Sequence, residues 1–285
     1  MFQFFVSRKT DPKTMLKKVL GDYNLPSFPD VVLKTLEKTR DPNASSDVIA
    51  QILAKDPGLT VRVLRTVNSA AFSPIQKVEN LTQAISLLGM SSLESLVLSM
   101  GVSKTLPNDA VGGFNPKLFW QGSARRAYIA KALSQHLHPQ KNMESFTAGL
   151  LQDMALPFLV KRKTEAYDKF LKSWESGERS LHEMEKETFG WDHAEVATWM
   201  CWEWKLPESL ASAIGGHNQP EENGEHERPA AVFLVSFIKN SNDNPGAEHL
   251  IEAAREKYGL EPGMLKALVE ESFEQAEELV NIIGH

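Results

Sequence analysis

The sequence predicts an all-α protein built as two helical lobes. Apolar residues recur at helical spacing along most of the chain, and helix-capping residues stand at frequent intervals. We find no run that alternates apolar and polar residues as a half-buried strand would. We divide the chain into an N-terminal segment at 1–24, a first helical lobe at 25–110 and a second at 111–285.

The first lobe consists mainly of short helices with recognisable starts. Pro29 lies near the first turn of one helix, Ser45 can cap the next, and Asp56 stands before Pro57 at the start of a third. The following helix runs into Gly89, a residue typical of a helix C-terminus. These starts and stops predict a succession of short helices.

The second lobe follows a Gly- and Pro-containing linker at 101–115, and Asn115 with Pro116 starts its long first helix. Further helices are predicted at 143–162, 164–175, 180–189, 192–204, 207–216, 229–241 and 247–258. A C-terminal amphipathic helix at 262–284 carries an apolar stripe opposite a row of glutamates. We expect the stripe to pack within the chain, and a homodimer through this helix is the alternative.

Composition excludes several classes of function. The net charge of −6 provides no overall positive field toward nucleic acid or anionic lipid. Residues 46–68 could form two helices with Arg62 and Arg65 on the second, but acidic residues flank them, so we expect no nucleic-acid partner. A single cysteine fits a reducing compartment, and no apolar run reaches the about 20 residues of a membrane helix. We therefore predict a cytoplasmic protein without a membrane partner.

Three residues could form a metal site. Asp153 ends an apolar helix and needs a partner, which is either a metal or, as we prefer from local sequence, a helix end or a basic side chain. His193 starts a helix and His217 follows one, so both imidazoles could converge with a carboxylate on one ion. For either histidine alone, capping or packing at a helix end is the preferred interpretation.

Two further features are interpreted as structural. Arg125 and Arg126 could contact a phosphate, but we expect them on a solvated helix face. Cys201 lies within a tryptophan-rich helix and is expected to be buried and inert.

Several short segments spread along the chain together carry a family resemblance. They are Leu25-Pro-Ser-Phe-Pro29, Ile49-Ala-Gln-Ile-Leu53 with Asp56-Pro-Gly-Leu59, Val63-Leu-Arg-Thr-Val-Asn-Ser-Ala70, Leu81-Thr-Gln-Ala-Ile85 to Gly89, Phe119-Trp-Gln-Gly-Ser123, Phe146 to Asp153, His193-Ala-Glu195, Trp204-Lys-Leu-Pro207 and His217. Together these segments resemble the HDOD domain family of bacterial signalling proteins. The likeness covers about residues 25–220 in the family's order. It implies an all-α fold whose second lobe is HD-domain-like.

The resemblance also implies that the metal site of HD enzymes is degenerate here. Those enzymes hold a divalent metal with one His, a His-Asp pair and a later Asp, and the metal activates water. The first His falls on Gly122, the His of the pair is Gln152, and the Asp of the pair is kept as Asp153. The later Asp falls in the helix near 229–240, where Ser236 is the nearest polar residue. One of four ligands survives.

The resemblance therefore favours a non-catalytic regulatory module that binds other signalling proteins, with no cofactor expected and a residual divalent metal possible. The alternative is a divalent-metal-dependent HD phosphohydrolase acting on a nucleotide or another phosphate ester. That alternative needs Asp153, His193 and His217 to converge, with Glu195 or His182 as further candidates.

Overall fold

Helices form the regular structure throughout the described chain. The computed structural model describes residues 11–21, 25–69, 74–219, 229–241 and 246–283. Over these residues it has helices, one isolated β-bridge between Val111 and Phe114, and no strand. The predicted all-α fold is confirmed.

The N-terminal part of the chain contains five helices among the described residues. They are α1 (Pro12–Leu20), α2 (Asp30–Thr39), α3 (Ser46–Leu53), α4 (Pro57–Val67) and α5 (Leu81–Thr105). The predicted caps are confirmed: the Ser45 hydroxyl accepts from the Val48 N–H, and the Asp56 carboxylate accepts from the Leu59 N–H at 3.0 Å. Gly89, with φ 73°, kinks α5 instead of ending it.

The expectation of longer helices in the second lobe is not met, since the C-terminal part has helices of 6 to 22 residues, whereas α5 of the first lobe has 25. The elements of the C-terminal part are α6 (Pro116–Leu137), a 3₁₀ turn (Pro139–Lys141), α7 (Asn142–Leu151), α8 (Leu156–Arg162), α9 (Thr164–Ser176), α10 (Leu181–Phe189), α11 (His193–Glu203), α12 (Glu208–Gly215), α13 (Ala230–Val235), α14 (Ala247–Tyr258) and α15 (Pro262–Ile283). Most boundaries agree with the sequence prediction to within two residues.

Two predicted helices are wrong in length. The helix predicted at 143–162 is broken between α7 and α8, where Pro157 has no N–H to continue the helical ladder and instead starts a new first turn. The helix predicted at 229–241 ends at Val235, because the chain beyond it turns toward α6. There the Ile238 carbonyl and the Asn240 side chain accept hydrogen bonds from an arginine of α6.

One large hydrophobic core joins the two lobes. Leu36 and Ile49 of the first lobe belong to the same buried cluster as Met200 and Ile214 of the second. A smaller cluster is formed by α6, α13, α14 and α15. The buried residues of the α15 stripe include Leu265, Val269, Ala276 and Leu279. The stripe thus packs within the chain, mainly on α6, as expected.

Helix α5 is long and apolar enough, by length and composition, to cross a membrane, and it is the one described helix for which this holds. The expectation that no segment reaches that length is therefore wrong for α5. In the structure, 56% of its most apolar window is buried inside the protein, with Leu93, Val97 and Val102 fully covered.

Candidate functional site

The structure brings together all three residues predicted to hold a metal. Asp153 lies in the turn between α7 and α8, His193 is the first residue of α11, and His217 follows the end of α12. All three are buried. The two imidazole Nε2 atoms are 3.1 Å apart, and each lies 3.5 Å from Asp153 Oδ1. We call these three residues the Asp-His-His cluster.

The start of α11 is fixed by a capping box. The Asp192 carboxylate accepts from the Glu195 N–H at 2.9 Å, and the Glu195 carboxylate accepts from the Asp192 N–H at 3.1 Å. Glu195 also pairs with Lys186 at 2.6 Å. This candidate ligand is thus engaged in the cap, and the cap places His193 in the first helical turn.

Both imidazoles are held through their Nδ1 atoms. His193 Nδ1 lies 2.6 Å from the carboxylate of buried Glu185, which also accepts from the His193 backbone N–H and from the Tyr167 hydroxyl. His217 Nδ1 donates to the Ile214 carbonyl at 2.7 Å, as expected for a histidine at a helix end. The Nε2 atoms are consequently directed toward each other and toward Asp153.

Glu185 was missed in the sequence, although a local signal was available. Leu181, Met184 and Glu185 occupy positions i, i+3 and i+4 of α10, and all three are buried. A carboxylate on the apolar face of a helix needs a buried partner. His193 and Tyr167 are those partners.

Arg126 corrects another expectation, since it does not lie on a solvated face. Its side chain is fully buried, and its Nη2 lies 3.0 Å from Asp153 Oδ2. The guanidinium also donates to the Ile238 carbonyl at 2.9 Å and to Asn240 Oδ1 at 3.1 Å. The Ser123 hydroxyl is a further acceptor, at 3.1 Å. Asp153 therefore has the basic partner that local sequence favoured.

The three positions that the resemblance assigns to lost HD ligands lie in different environments. A Cβ on Gly122 would overlap Asn240 Oδ1, so the Asn240 side chain fills the space beside Gly122. Gln152 is buried, and its Oε1 has no hydrogen-bond partner within the described structure. Ser236 lines the same cavity as the Asp-His-His cluster.

Burial and neighbouring charges act on the cluster in opposite directions. Burial would raise the pKa of Asp153, but Arg126 and the two histidines hold that pKa well below its usual range. Burial would lower the pKa of His193, but Glu185 and Asp153 raise it well above its ordinary value. Burial and the nearby His193 lower the pKa of His217. The protein's own groups therefore favour a carboxylate, an imidazolium and a neutral imidazole.

The cluster forms one wall of a cavity of about 340 Å³. Its other polar lining includes Arg179, Ser180, His182, Asn218, Ser236, Lys239 and His249, and its aromatic lining is Trp174, Phe233 and Phe237. His182, the remaining predicted candidate, is thus on the cavity wall and outside the three-atom cluster. Asp153 is the one carboxylate among the described lining residues, whereas Arg179 and Lys239 are cations.

The model of the HDOD domain matches residues 25–220 of this chain. The chain belongs to the HDOD family. This HDOD chain is also similar to a protein of Treponema pallidum (strain Nichols) described as an uncharacterized protein, with 25% identity over 222 residues. The match covers 77% of the HDOD chain and 42% of the relative, so the chain spans less than half of the length of that relative.

Solved structures share the fold of the HDOD chain. The crystal structure of a "Putative phosphohydrolase" from Shewanella amazonensis SB2B has a TM-score of 0.70 at 22% identity, covering 94% of this chain and 98% of its own. An HDOD domain protein with unknown function from Geobacter sulfurreducens has a TM-score of 0.68 at 21% identity, and the match covers 94% of this chain and 95% of that protein. A "Putative signal transduction protein" from Marinobacter aquaeolei VT8 has a TM-score of 0.68 at 17% identity, and the match covers 94% of this chain and 60% of that protein. At these identities the likeness concerns the fold.

Proposed function

We propose that this HDOD chain is a non-catalytic regulatory module of signal transduction. The observation that carries the proposal is the buried ion pair of Arg126 with Asp153. It places a permanent cation of the chain beside the one HD ligand that survives. A buried carboxylate that already has such a partner does not need a metal to be neutralised.

The residues present do not fit the HD metal centre. At the positions of the three missing ligands, Gly122 offers no side chain, Gln152 a neutral amide and Ser236 a hydroxyl. The Asn240 side chain takes the space next to Gly122, and it is held there by Arg126. A divalent ion on Asp153 Oδ2 would also meet the guanidinium at close range and be repelled. We therefore derive no hydrolytic step through that centre.

The comparisons support a role as a module. The Treponema relative extends well beyond the matched part, as expected where an HDOD domain is joined to further segments. The Marinobacter protein of the same fold carries a signal-transduction name. We propose that the partners are other signalling proteins and that the chain acts in the cytoplasm. A homodimer through α15 stays a prediction.

A second candidate, an HD-superfamily phosphohydrolase, is favoured by the position of the Asp-His-His cluster. The cluster opens onto the same cavity as Arg179 and Lys239, whose positive charges could contact a phosphate ester. The cavity has the size of a small-molecule site. This candidate requires an ion that activates water.

A hydrolysis assay separates the two candidates. Purified protein is stripped with a chelator, reloaded in turn with Mg²⁺, Mn²⁺, Fe²⁺ and Zn²⁺, and supplied with bis-p-nitrophenyl phosphate, nucleoside triphosphates and cyclic dinucleotides. We expect the same background rate for the parent and for His217→Gln. The matched control is His182→Gln, which changes a histidine of the same cavity outside the cluster. Metal-dependent turnover lost in His217→Gln and kept in His182→Gln would establish the enzyme.

A further inference from the structure

A second cavity lies between α6 and α15, away from the Asp-His-His cluster. Its volume is about 380 Å³, which is in the range of small-molecule sites. None of its described lining residues lines the cavity of the cluster. Helix α15 follows the matched residues 25–220, so one wall of this cavity belongs to a part of the chain that the HDOD model does not cover. We call this space the α6–α15 cavity.

Two buried hydroxyl groups of the α6–α15 cavity have no hydrogen-bond partner among the described residues. Tyr128 of α6 and Ser272 of α15 both line the cavity, and the two residues are only 3% and 2% exposed. Neither hydroxyl oxygen is completely covered, so the open side of each faces the cavity. Because buried polar groups are nearly always hydrogen-bonded, the missing partners are expected in the cavity itself.

Ser272 departs from other hydroxyl groups within the helices of this chain. Ser99, Thr147 and Thr198 each donate to the carbonyl four residues earlier in their own helix. The Ser272 hydroxyl makes no bond of this kind within the described structure. The Tyr128 ring, for its part, is held edge-on against Phe146 with ring centres 5.4 Å apart. Both hydroxyls are therefore held in place and available to a molecule in the cavity.

The charged groups around the α6–α15 cavity have both signs. Lys131 and Glu271 line it, and burial lowers the pKa of Lys131, so a carboxylate beside it would stabilise its charged form. Burial and the nearby Glu278 raise the pKa of Tyr128, which keeps its hydroxyl a donor. An anion would be repelled by the two glutamates and a cation by Lys131. A ligand that carries one charge of each sign avoids both repulsions.

We propose that the α6–α15 cavity binds a small zwitterion of the amino-acid class. Its carboxylate accepts hydrogen bonds from Tyr128, Ser272 and Lys131, and its ammonium group lies toward Glu271. Its side chain contacts Leu268, an apolar residue of the same cavity. This binding site is additional to the proposed regulatory function, and it does not depend on the Asp-His-His cluster.

Isothermal titration calorimetry of the full chain tests the proposal. The probes are L-leucine, L-methionine and L-glutamine, and each is compared with its methyl ester, which lacks the carboxylate, and with its N-acetyl derivative, which lacks the ammonium group. We expect at least one of the three amino acids to saturate at one molecule per chain. Both of its derivatives should bind at least about tenfold more weakly, because each loses one charge-assisted set of hydrogen bonds.

Tyr128→Phe and Ser272→Ala each remove one hydroxyl and keep the rest of the side chain. Each should weaken binding by about tenfold or more, since a hydrogen bond to a charged group is lost. Neither should lower the midpoint of thermal unfolding without amino acid, because the hydroxyls have no partner to lose within the described chain. The control Tyr258→Phe removes a tyrosine hydroxyl of α14 outside the cavity and should bind like the parent.

Several results would overturn the site. They are the absence of binding by all three amino acids, parent affinity in both hydroxyl variants, or a lower midpoint of unfolding in both, which would show hydroxyls bonded within the folded chain. Sedimentation velocity adds one more: a dimer that Ser272→Arg disperses, with no amino acid bound, would assign this face to a second copy of the chain. None of these results changes the outcome of the hydrolysis assay, so the proposed function is tested separately.

Discussion

Arg126→Met is the most informative perturbation of the site. It removes the buried partner of Asp153 and keeps the length of the apolar stem of the side chain. Breaking a buried ion pair by deleting one member costs about 3–5 kcal/mol, because the other charge is left without compensation. The Ile238 carbonyl and Asn240 Oδ1 lose their donor in the same step. We therefore expect Arg126→Met to lower the free energy of unfolding by an amount at or above the middle of that range.

The assay is urea denaturation in the presence of a chelator at pH 7, followed by far-UV circular dichroism, with the midpoint compared at an unchanged m-value. The matched control is Arg125→Met on the same helix, whose guanidinium donates to the Ser241 carbonyl at 2.9 Å and lies 4.7 Å from the centre of the Phe273 ring. Loss of these half-buried contacts should cost about 1–2 kcal/mol.

A second substitution tests the reason for the loss. Asp153→Leu in the Arg126→Met background removes the uncompensated carboxylate, so the double variant should be more stable than Arg126→Met alone. If Arg126→Met were no more destabilising than Arg125→Met, or if the double variant were the less stable of the two, the ion pair would not have the role that we assign to it.

Two further predictions concern other positions. Asp56→Ala should cost about 1 kcal/mol at neutral pH through the lost N-cap. The hydrogen bond from the Leu59 N–H lowers the pKa of Asp56 in the folded protein, so the cap stabilises the fold fully above the unfolded pKa and is lost as pH falls through the lowered folded pKa. The difference in the free energy of unfolding between the parent and Asp56→Ala, measured by urea titrations at several pH values, should therefore shrink in acid. A difference that widens in acid would contradict this. Gly122→Ala should cost about 1–3 kcal/mol, measured by thermal unfolding, because the new Cβ overlaps Asn240, and an unchanged midpoint would show that Asn240 can move away.

Most of the fold could be predicted because helix starts are encoded locally. The Ser45 and Asp56 caps and the Asn115 start need no knowledge of the rest of the chain. The end of α13 at Val235 depends instead on a contact with Arg126, which is more than a hundred positions away. No local pattern contains that information.

The candidate site was predictable in its ligand atoms and not in the groups that orient them. Asp153, His193 and His217 have side chains whose chemistry suggests a metal at any position. Arg126 and Glu185 are residue types that usually lie on the surface, so their burial follows from the helices that pack over them. The spacing of apolar residues indicates the burial of both side chains. Arg126 lies on one buried face of α6 with Phe119, Ser123 and Ala130, and Glu185 lies on the buried face of α10 with Leu181 and Met184.

The arrangement shows how a buried carboxylate at the position of Asp153 can be neutralised without a metal. A buried carboxylate needs a positive partner, and a metal ion held by four side chains is one solution. Arg126 is a different solution, because its charge is covalently attached to α6 and requires no ion from solution to be present. The second oxygen of Asp153 is directed at two oriented imidazoles, so each oxygen of the carboxylate has its own partners.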